Sequence, residues 1–353
     1  MTQTDRPLLR RGWTTGACAT AAAKGALTRL WSGAFPAEVG IVLPRGESPH
    51  FPLVACRAGS GWAECGVIKD AGDDPDVTHG CRVLVRAEPG GPGVSFRAGA
   101  GVGTVTMPGL PLPVGAAAIN PVPRQLMTGI VTDLAERYGQ DPDITLTVSL
   151  PGGAALAEKT WNPRLGIVGG LSILGTTGVV RPFSCAAWIA SIHRGVDVAR
   201  ALGIGHVAGC TGATSEAAVR TRYGLGDQAM LDMGDFAGGL LKYLSRHPVA
   251  RVTIGGGIGK MAKLAQGARD LHSARSQVDM IALSALATAR GLPPVADSPT
   301  ALAALRLAGP GLAAAVAEGA LATVGQILGA APIAANVVVI DREGRILADT
   351  GVP

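Results

Sequence analysis

Short apolar runs bounded by glycine and proline fill residues 37–107, and these runs predict β-strands. They lie at residues 39–43, 51–56, 82–87 and 103–107. Helical patterns flank them, because an alanine-rich helix is predicted at about 17–30 and apolar residues recur every four positions within 126–138. With a further strand at 144–150, residues 1–158 are predicted to form an α+β domain.

From residue 159 onward the pattern becomes a strand, a glycine-rich loop and a helix, repeated three times. Strands at 167–174, 206–208 and 251–254 precede loops at 175–178, 209–212 and 255–260. Such units predict a parallel sheet with helices on its faces, so residues 159–353 are expected to form an α/β domain. The rest of this domain is predicted to hold a helix at 230–244, more helices within 276–328, and a terminal hairpin that joins 337–340 to 345–348.

The three loops are candidate ligand sites, because ligands of open parallel sheets bind beyond the carboxyl ends of the strands. Glycine lets the backbone approach a ligand, and the helix that follows offers unpaired N–H groups to an anion. The competing interpretation is that these turns need glycine for steric reasons alone. The candidate loop residues are Gly175, Thr176, Thr177, Gly178, Gly209, Thr211, Gly212, Gly255, Gly256, Gly257 and Gly259.

The third loop fails one nucleotide-binding motif and fits another. A phosphate-binding P-loop needs glycine and Ser or Thr where this chain has Ile254 and Met261. Residues 257–262 fit the dinucleotide pattern G-x-G-x-x-A, with Asp279 downstream as a candidate ribose ligand. The pattern favours a nucleoside-containing ligand, and an NAD-linked oxidoreductase is one function that it allows.

Two further segments carry candidate chemistry. Asp73, Asp74 and His79 are candidate catalytic residues, because carboxylates bind Mg²⁺ and a histidine beside them can act as a general base. The competing interpretation is a solvated turn whose aspartates cap local N–H groups. Thr14 and Thr15, at the start of the first helix, form either an anion site or an ordinary helix cap.

Composition narrows the partners and the location. The chain has 353 residues and a formal charge of +5 without a basic run that contains aromatic residues, so a nucleic acid is not expected. The six cysteines form no C-x-x-C pair, so a zinc or iron–sulfur site is not expected, and no residue is assigned as a metal ligand. Prolines and Glu318 interrupt the apolar stretch at 308–340, which argues against a membrane span. Arg10 and Arg11 resemble an export signal, but Lys24 breaks the apolar segment, so a cytoplasmic location is expected.

Five longer strings carry a family resemblance. They are RGWTTG at 11–16, KDAGDDPDVTHG at 69–80, AINPVPR at 118–124, NPRLGIVGGLSILGTTG at 162–178 and GKMAKLAQG at 259–267. In this order they cover much of the chain, and the sequence resembles the cobalt-precorrin-5B C1-methyltransferase family (CbiD family) of anaerobic cobalamin assembly.

The resemblance implies transfer of a methyl group from S-adenosylmethionine to C1 of a corrinoid, with cobalt present only as part of the substrate. It also implies an α+β domain followed by a Rossmann-like domain, and we expect the three glycine-rich loops to bind the donor. Candidate residues for binding the substrate and its carboxylates are Thr14, Thr15, Arg124, Arg181, Lys260 and Lys263. The alternative to an enzyme is a non-catalytic tetrapyrrole-binding protein, and a homo-oligomer is compatible with either function.

Overall fold

The computed structural model describes residues 9–351, and the chain divides into two compact units. Unit 1 extends to Ser184 and unit 2 begins at Cys185. The predicted boundary lay after residue 158. The difference has a hydrogen-bonding cause, because the strands at Ile167–Val168 and Val179–Val180 both pair with strands of unit 1.

Unit 1 contains a mixed five-stranded sheet, two long helices and three small strand pairs. Its elements are β1 (Gly12–Trp13), α1 (Thr15–Ser32), β2 (Glu38–Gly40), β3 (His50–Pro52), β4 (Val54–Gly59), β5 (Trp62–Ile68), β6 (Arg82–Pro89), β7 (Val94–Ala98), β8 (Thr104–Val105), α2 (Pro121–Tyr138), β9 (Ile144–Ser149), α3 (Gly153–Ala157), β10 (Ile167–Val168) and β11 (Val179–Val180). The large sheet has the order β4-β5-β6-β9-β7 and is antiparallel except for the β7–β9 pair. The small pairs are β1–β11, β2–β3 and β8–β10.

Helix α1 is the centre of the unit 1 core. It packs on β5, β6 and α2, and its alanines are completely buried. Small side chains allow this close approach, and a side chain at Gly25 would collide with Leu53. Thr14 caps the start of α1, and Gly33 ends it at a φ of +83°. The predicted helices at 17–30 and 126–138 are confirmed, and α2 begins five residues earlier than predicted, at Pro121.

Unit 2 is built on a five-stranded, mostly parallel sheet. Its elements are α4 (Cys185–Ala201), β12 (His206–Cys210), α5 (Ala213–Tyr223), β13 (Met230–Leu231), α6 (Ala237–Leu244), β14 (Arg251–Gly257), α7 (Ile258–Ala265), α8 (Met280–Thr288), α9 (Ala301–Ala308), α10 (Pro310–Leu328), β15 (Ala334–Ile340) and β16 (Ile346–Asp349). The strand order is β13-β12-β14-β15-β16. The first four strands are parallel and β16 is antiparallel, which confirms the predicted terminal hairpin.

Two sequence predictions for this sheet were wrong. Residues 167–174 are not its first strand, since Ile167 and Val168 pair antiparallel with β8 in unit 1. Residues 230–244 are not one helix, because Met230 and Leu231 form the edge strand β13 and α6 begins only at Ala237. A two-residue buried strand is too short for its period to be distinguished from that of a helix.

One helix among residues 9–351, α10, is long and apolar enough to cross a membrane. Half of its apolar window is buried inside the protein. Leu312, Val316, Ala320 and Val324 on α10 are completely buried in the main core of unit 2. Its apolar character is therefore accounted for by packing against the rest of unit 2.

Candidate functional site

At the start of α1, the segment RGWTTG (residues 11–16) is hydrogen-bonded to two of the other sequence strings, those at 69–80 and 162–178. The N–H of Trp13 donates to the carbonyl of Asp70 over 2.7 Å, and the N–H of Thr14 donates to the carbonyl of Gly178 over 2.9 Å. Strand β1 therefore lies between the Asp/His segment (residues 69–80) and β11. The fit is tight, because a side chain at Gly12 would overlap the backbone of Ala71.

The N-terminus of α1 is occupied by the protein itself. The N–H of Gly16 donates to the carbonyl of Leu174 over 2.9 Å, and the N–H of Ala17 donates to the Thr14 hydroxyl over 3.2 Å. The Thr15 hydroxyl donates to the Leu174 carbonyl and accepts from its N–H, both over 3.2 Å. Thr14 and Thr15 are buried. Of the two interpretations of this start, the geometry supports the helix cap, which also holds the neighbouring loop.

The loop at 175–178 belongs to unit 1 and does not follow a strand of the parallel sheet. The prediction that this loop lies at the edge of the parallel sheet was wrong, because β10, which precedes the loop, pairs with β8 in unit 1. A side chain at Gly175 would overlap Thr14, and one at Gly178 would meet Leu43. The Thr177 hydroxyl bonds to the backbone of Val179, while Thr176 is exposed. Within this loop, Thr176 is therefore the residue most accessible to a ligand.

The carboxylates of the Asp/His segment accept hydrogen bonds from the surrounding backbone. Asp73 Oδ2 accepts from the N–H of Arg10 over 2.6 Å, and Asp74 Oδ1 accepts from the N–H of Phe183 over 2.8 Å. Asp70 pairs with the Arg10 guanidinium and accepts from a backbone N–H over 2.9 Å. The hydrogen bond from Arg10, followed by that backbone bond, lowers the pKa of Asp70 to about 2. These aspartates hold three chain segments together.

His79 is oriented by the same segment. Its Nδ1 accepts a hydrogen bond from the N–H of Ala71 over 3.1 Å, and about half of the side chain is exposed. We assign the neutral ring proton to Nε2, because Nδ1 acts as an acceptor. In this tautomer Nε2 is a donor, so the ring has no free lone pair with which to remove a substrate proton. The arrangement suits a hydrogen-bond donor better than a general base.

Within this segment, the buried Lys69 forms an ion pair with the partly buried Asp76. The Lys69 side chain is only 2% exposed, and its ammonium group donates to Asp76 and to the Thr78 hydroxyl. Burial alone would raise the pKa of Asp76, but the Lys69 charge and the hydrogen bonds from Lys69 and Thr78 outweigh it and lower the pKa. Within residues 9–351, no group of three or more His, Cys, Asp or Glu side chains is placed to hold a metal ion.

An apolar and basic surface lies beside the β1–β11 pair. Leu174 and Phe183 are 50% and 67% exposed. Strands β1 and β11 are antiparallel, with Gly12 opposite Val180. Arg11 and Arg181 are the residues next to this pair, one on each strand's side, and both are exposed. Neither guanidinium has an ion-pair partner among the described residues. Arg11 was missed as a site residue, because only the register of β1 and β11 places it beside Arg181.

Phe183 is held in an unusual backbone conformation at this surface. Its φ of +55° lies in the left-handed region, which costs a residue with a side chain about 1–2 kcal/mol. The hydrogen bond from its N–H to Asp74 fixes this turn. Asp74 therefore positions an exposed aromatic ring beside Arg181.

Arg124 is engaged inside unit 1. Its Nε donates to the carbonyl of Ile119 over 2.7 Å, and its Nη2 donates to that of Ala117 over 2.9 Å. The guanidinium also lies over the Phe96 ring, 4.9 Å from its centroid, and burial lowers its pKa. These contacts give Arg124 a role in fixing the turn before α2.

In unit 2 the other two glycine-rich loops lie side by side. Strands β12 and β14 are adjacent and parallel, with Cys210 opposite Gly255. The predicted loop 209–212 includes the last two residues of β12, and the predicted loop 255–260 comprises the last three residues of β14 and the first three of α7, so both strands are longer than predicted. Both segments lie at the carboxyl ends of their strands, where the strand order of the sheet changes direction. Ligands of open parallel sheets bind at such a reversal. The structure therefore brings these two predicted loops together.

The glycines of these two loops fall into two groups. Side chains at Gly209, Gly255 and Gly256 would collide with protein atoms, so those positions are small for packing. By contrast, no protein atom lies within 4 Å of where a side chain would begin at Gly212, Gly257 or Gly259, and none of these three has a left-handed φ. We call Gly212, Gly257 and Gly259 the open glycines. Steric need explains the first group but not the second.

Two lysines predicted to bind substrate behave differently. Lys263 is buried, and its ammonium group donates to the carbonyl of Leu271 over 2.9 Å. Lys260 is partly exposed, pairs with Asp235 over 2.7 Å and approaches the carbonyl of Thr211 at 3.3 Å. Asp235 was missed from the sequence, because residues 230–244 were assigned to a single helix.

The dinucleotide interpretation depended on Asp279 as a ribose ligand. Instead, the Asp279 carboxylate caps α8, accepting from the N–H groups of Ile281 and Ala282 over 2.9 and 3.0 Å. It follows no strand of the sheet. This geometry gives the oxidoreductase alternative no support.

Comparisons with known proteins agree with the resemblance carried by the five strings. Residues 2–182 match the CbiD family and residues 270–351 match the CbiD C-terminal domain. The chain is 58% identical to the cobalt-precorrin-5B C(1)-methyltransferase of Brucella anthropi, over 98% of this chain and 96% of that one. It is 56% identical to the protein of the same name from Paramagnetospirillum magneticum, over 98% and 99% of the two chains.

A solved structure of the cobalamin biosynthesis protein cbiD from Archaeoglobus fulgidus is also similar. It is 26% identical and covers 76% of this chain and 83% of its own, with a TM-score of 0.42. The family assignment depends on the sequence matches alone, because these extend over nearly the whole length of the chain and of its relatives. The chain therefore belongs to the CbiD family.

Proposed function

We propose that this chain transfers a methyl group from S-adenosylmethionine to C1 of cobalt-precorrin-5B, giving cobalt-precorrin-6A in cobalamin biosynthesis. One observation carries the proposal, namely identity of 58% to a methyltransferase of that name over nearly the full length of both chains. In the transfer, the bond from sulfur to the methyl carbon breaks and leaves its electron pair on sulfur. The macrocycle supplies the pair that forms the new bond at C1, and the donor leaves as S-adenosylhomocysteine.

This chemistry demands positioning more than acid–base groups. An in-line displacement needs the methyl carbon and the acceptor carbon about 3–3.5 Å apart, and it needs no covalent enzyme intermediate. A site of this kind excludes water and holds two ligands in register. His79 as a hydrogen-bond donor and aspartates with structural roles are compatible with such a site. We therefore assign Asp73, Asp74 and His79 to ordering the site and not to carrying protons.

We place the methyl donor in unit 2, at the carboxyl ends of β12 and β14. The open glycines leave room there for a ligand to approach the backbone, and α5 and α7 begin beside them. This location treats unit 2 as a Rossmann-like domain, and its strand order and parallel core support that description. The donor carries a carboxylate, which suits the N-terminal end of a helix.

We place the corrinoid on the surface of unit 1 beside β1 and β11. The exposed Leu174 and Phe183 offer apolar contact to a macrocycle. Arg11 and Arg181, unpaired within residues 9–351, suit the acetate and propionate groups at its edge, because guanidinium groups bind carboxylates in a bidentate manner. Thr14 and Thr15 then contribute through the loop that they hold, and Thr176 is the loop residue exposed to the substrate.

The decisive experiment is a turnover assay with S-adenosylmethionine labelled in its methyl group and cobalt-precorrin-5B. We expect one labelled methyl group in the product, located at C1 by mass spectrometry and NMR. Binding of the corrinoid without methyl transfer would instead indicate a tetrapyrrole carrier, and hydride exchange with NAD would indicate the oxidoreductase. A cytoplasmic location and self-association stay predictions of the sequence, and cell fractionation and light scattering test them.

A further inference from the structure

The turn after β13 connects the two glycine-rich loops of unit 2. The N–H of Gly234 donates to the carbonyl of Cys210, the last residue of β12, over 3.2 Å. Asp235, the next residue, pairs over 2.7 Å with Lys260, whose ammonium group also approaches the carbonyl of Thr211. Residues 233–236 therefore lie at the carboxyl end of β12, beside the proposed donor site.

Trp188 of α4 lies over this turn and is fixed there. Its indole N–H donates to the carbonyl of Asp232 over 2.9 Å. Its ring is 6.1 Å from the Phe236 ring, and a side chain at Gly234 would lie 3.4 Å from the indole. The Trp188 side chain is nevertheless 47% exposed. Because its only polar atom is already bonded, the exposed part of the ring is an apolar aromatic surface that suits a planar base.

Asp235 has the chemistry and the position of a ribose ligand. Its carboxylate is partly exposed and is neutralised by Lys260, so it can accept hydrogen bonds without presenting an isolated charge. Asp235 lies shortly after β13, which is the next strand in the chain after the loop at 209–212. In dinucleotide-binding sheets, an acidic residue about 20 residues beyond the glycine-rich turn accepts a hydrogen bond from a ribose hydroxyl. Asp279 was assigned that role from spacing alone, but Asp235 lies at the sheet edge where the role is needed.

We propose that Trp188 and Asp235 form the adenosine subsite of the methyl donor. Trp188 stacks on the adenine, Asp235 accepts hydrogen bonds from the ribose hydroxyls, and Lys260 holds the Asp235 carboxylate in place. This inference deepens the proposed function and rests on it. It assigns Lys260 to the donor site, in place of the substrate carboxylates for which the sequence suggested it.

The test compares binding of S-adenosylhomocysteine and of its 2′- and 3′-deoxy analogues, measured by calorimetry. For the wild-type enzyme, we expect at least one deoxy analogue to bind about tenfold more weakly, as for loss of a hydrogen bond to a charged group. Asp235→Asn should weaken S-adenosylhomocysteine to a similar extent. The weaker deoxy analogue should bind to Asp235→Asn about as tightly as S-adenosylhomocysteine binds to that variant. The two losses of affinity do not add, because the variant and the analogue each remove the same hydrogen bond.

Trp188 has its own readout. Binding of S-adenosylhomocysteine should quench tryptophan fluorescence in the wild-type enzyme, and this change should be absent in Trp188→Phe. Trp188→Ala should weaken binding of S-adenosylhomocysteine about tenfold or more, because the adenine would lose its aromatic stacking partner. The matched control for Asp235→Asn is Glu318→Gln, which removes a carboxylate from an exposed ion pair between α10 and Arg290, two residues beyond the end of α8. It should leave donor binding unchanged.

Two results would overturn the subsite. The first is that the wild-type enzyme binds both deoxy analogues as tightly as it binds S-adenosylhomocysteine. This measurement needs no variant, so it does not depend on whether a variant folds. The second is unchanged affinity in folded Asp235→Asn and Trp188→Ala. Either result, with normal methyl transfer by the wild-type enzyme, rejects the subsite and leaves the proposed function standing. Absence of methyl transfer by the wild-type enzyme would reject the function itself.

Discussion

The backbone N–H of Ala71 donates to Nδ1 of His79 over 3.1 Å, and this one bond fixes what the imidazole can do. It places the proton of the neutral ring on Nε2, so that nitrogen is a donor. The Asp/His segment was a candidate for acid–base catalysis on residue type alone. In the structure the segment is bonded to β1 through the carbonyl of Asp70 and to Phe183 through the carboxylate of Asp74.

Replacing His79 by Asn tests this interpretation. The Asn side chain can accept from Ala71 in place of Nδ1 but cannot act as a base, so we expect the kcat of methyl transfer to stay within about threefold of wild type. Loss of a general base typically costs about 10²–10⁴ in rate, and a fall of that size would restore His79 as a catalytic residue. Steady-state kinetics with saturating donor and corrinoid measure the difference.

The open glycines allow a test of the donor site in which protein packing is preserved. Gly257→Ala and Gly259→Ala place a methyl group where no protein atom lies within 4 Å, so we expect thermal stability to be kept. A donor close to the backbone would meet that methyl group, and its Kd should rise about tenfold or more, as for an overpacked contact of 1–3 kcal/mol. The measurement is calorimetry with S-adenosylhomocysteine. Unchanged donor affinity in both variants would move the donor away from this edge of the sheet.

Arg11 and Arg181 should contribute to corrinoid binding and not to donor binding. Replacing either by Ala removes one guanidinium from the surface of unit 1, and we expect the KM for the corrinoid to rise about tenfold, the size of a charge-assisted hydrogen bond. The donor Kd should not change, and the effect should shrink at high salt. Arg82→Ala, an exposed arginine on β6, is the matched control. An equal rise of KM in the control would indicate a general effect of charge.

The ion pair between Lys69 and Asp76 should be essential to the stability of unit 1. Asp76→Ala leaves a completely buried ammonium group without a counter-charge, which typically costs about 3–5 kcal/mol in the free energy of unfolding. Replacing both residues by apolar ones, as in Lys69→Met with Asp76→Leu, should restore most of that loss. Urea unfolding measures both variants. A loss below about 1 kcal/mol for the single variant would contradict the structural role.

The same carboxylate predicts a pH dependence. The pKa of Asp76 is lower in the folded protein than its ordinary value, so the folded state favours the ionised form. The resulting stabilisation is complete above the unfolded-state pKa of about 3.9 and is lost as the pH falls below it, through the folded-state pKa. The free energy of unfolding should decrease over that acid range by less in the double variant than in the wild-type protein. If the free energy of unfolding depended on acid pH identically in the two proteins, Asp76 would not contribute to the pH dependence.

Gly72 and Gly80 separate backbone strain from steric overlap within one segment. Both have left-handed φ values, of +68° and +76°. Gly80→Ala adds a methyl group in open space and should cost only the strain of about 1–2 kcal/mol. Gly72→Ala would also overlap the carbonyl oxygen of Arg10, so we expect a clearly larger loss of stability and a weakened attachment of β1. Urea unfolding measures both variants. Equal losses of unfolding free energy would show that β1 can move away from Gly72 without a loss of stability.

Local patterns were sufficient where an element is long or is bounded by strong signals. The helices α1 and α2, the glycine-rich ends of β12 and β14, and the terminal hairpin all follow from periodicity and turn residues close to them in the chain. The five strings also identified the family, which the full-length matches confirm. These features depend on neighbours within a few residues, and such neighbours are visible in one sequence.

Only the tertiary structure decided which distant segments meet. Residues 167–178 were predicted to be a strand and loop of the parallel sheet, but they bond to β8 and to the start of α1, and β11, which follows them, pairs with β1. Asp235 became a site candidate only because the turn after β13 places it beside Lys260, and Trp188 only because its indole is bonded to that turn. Strand pairing and side-chain contact over such separations are set by the burial and hydrogen bonding of the whole fold. The sequence determined the chemistry that is available, and the fold selected which residues combine to use it.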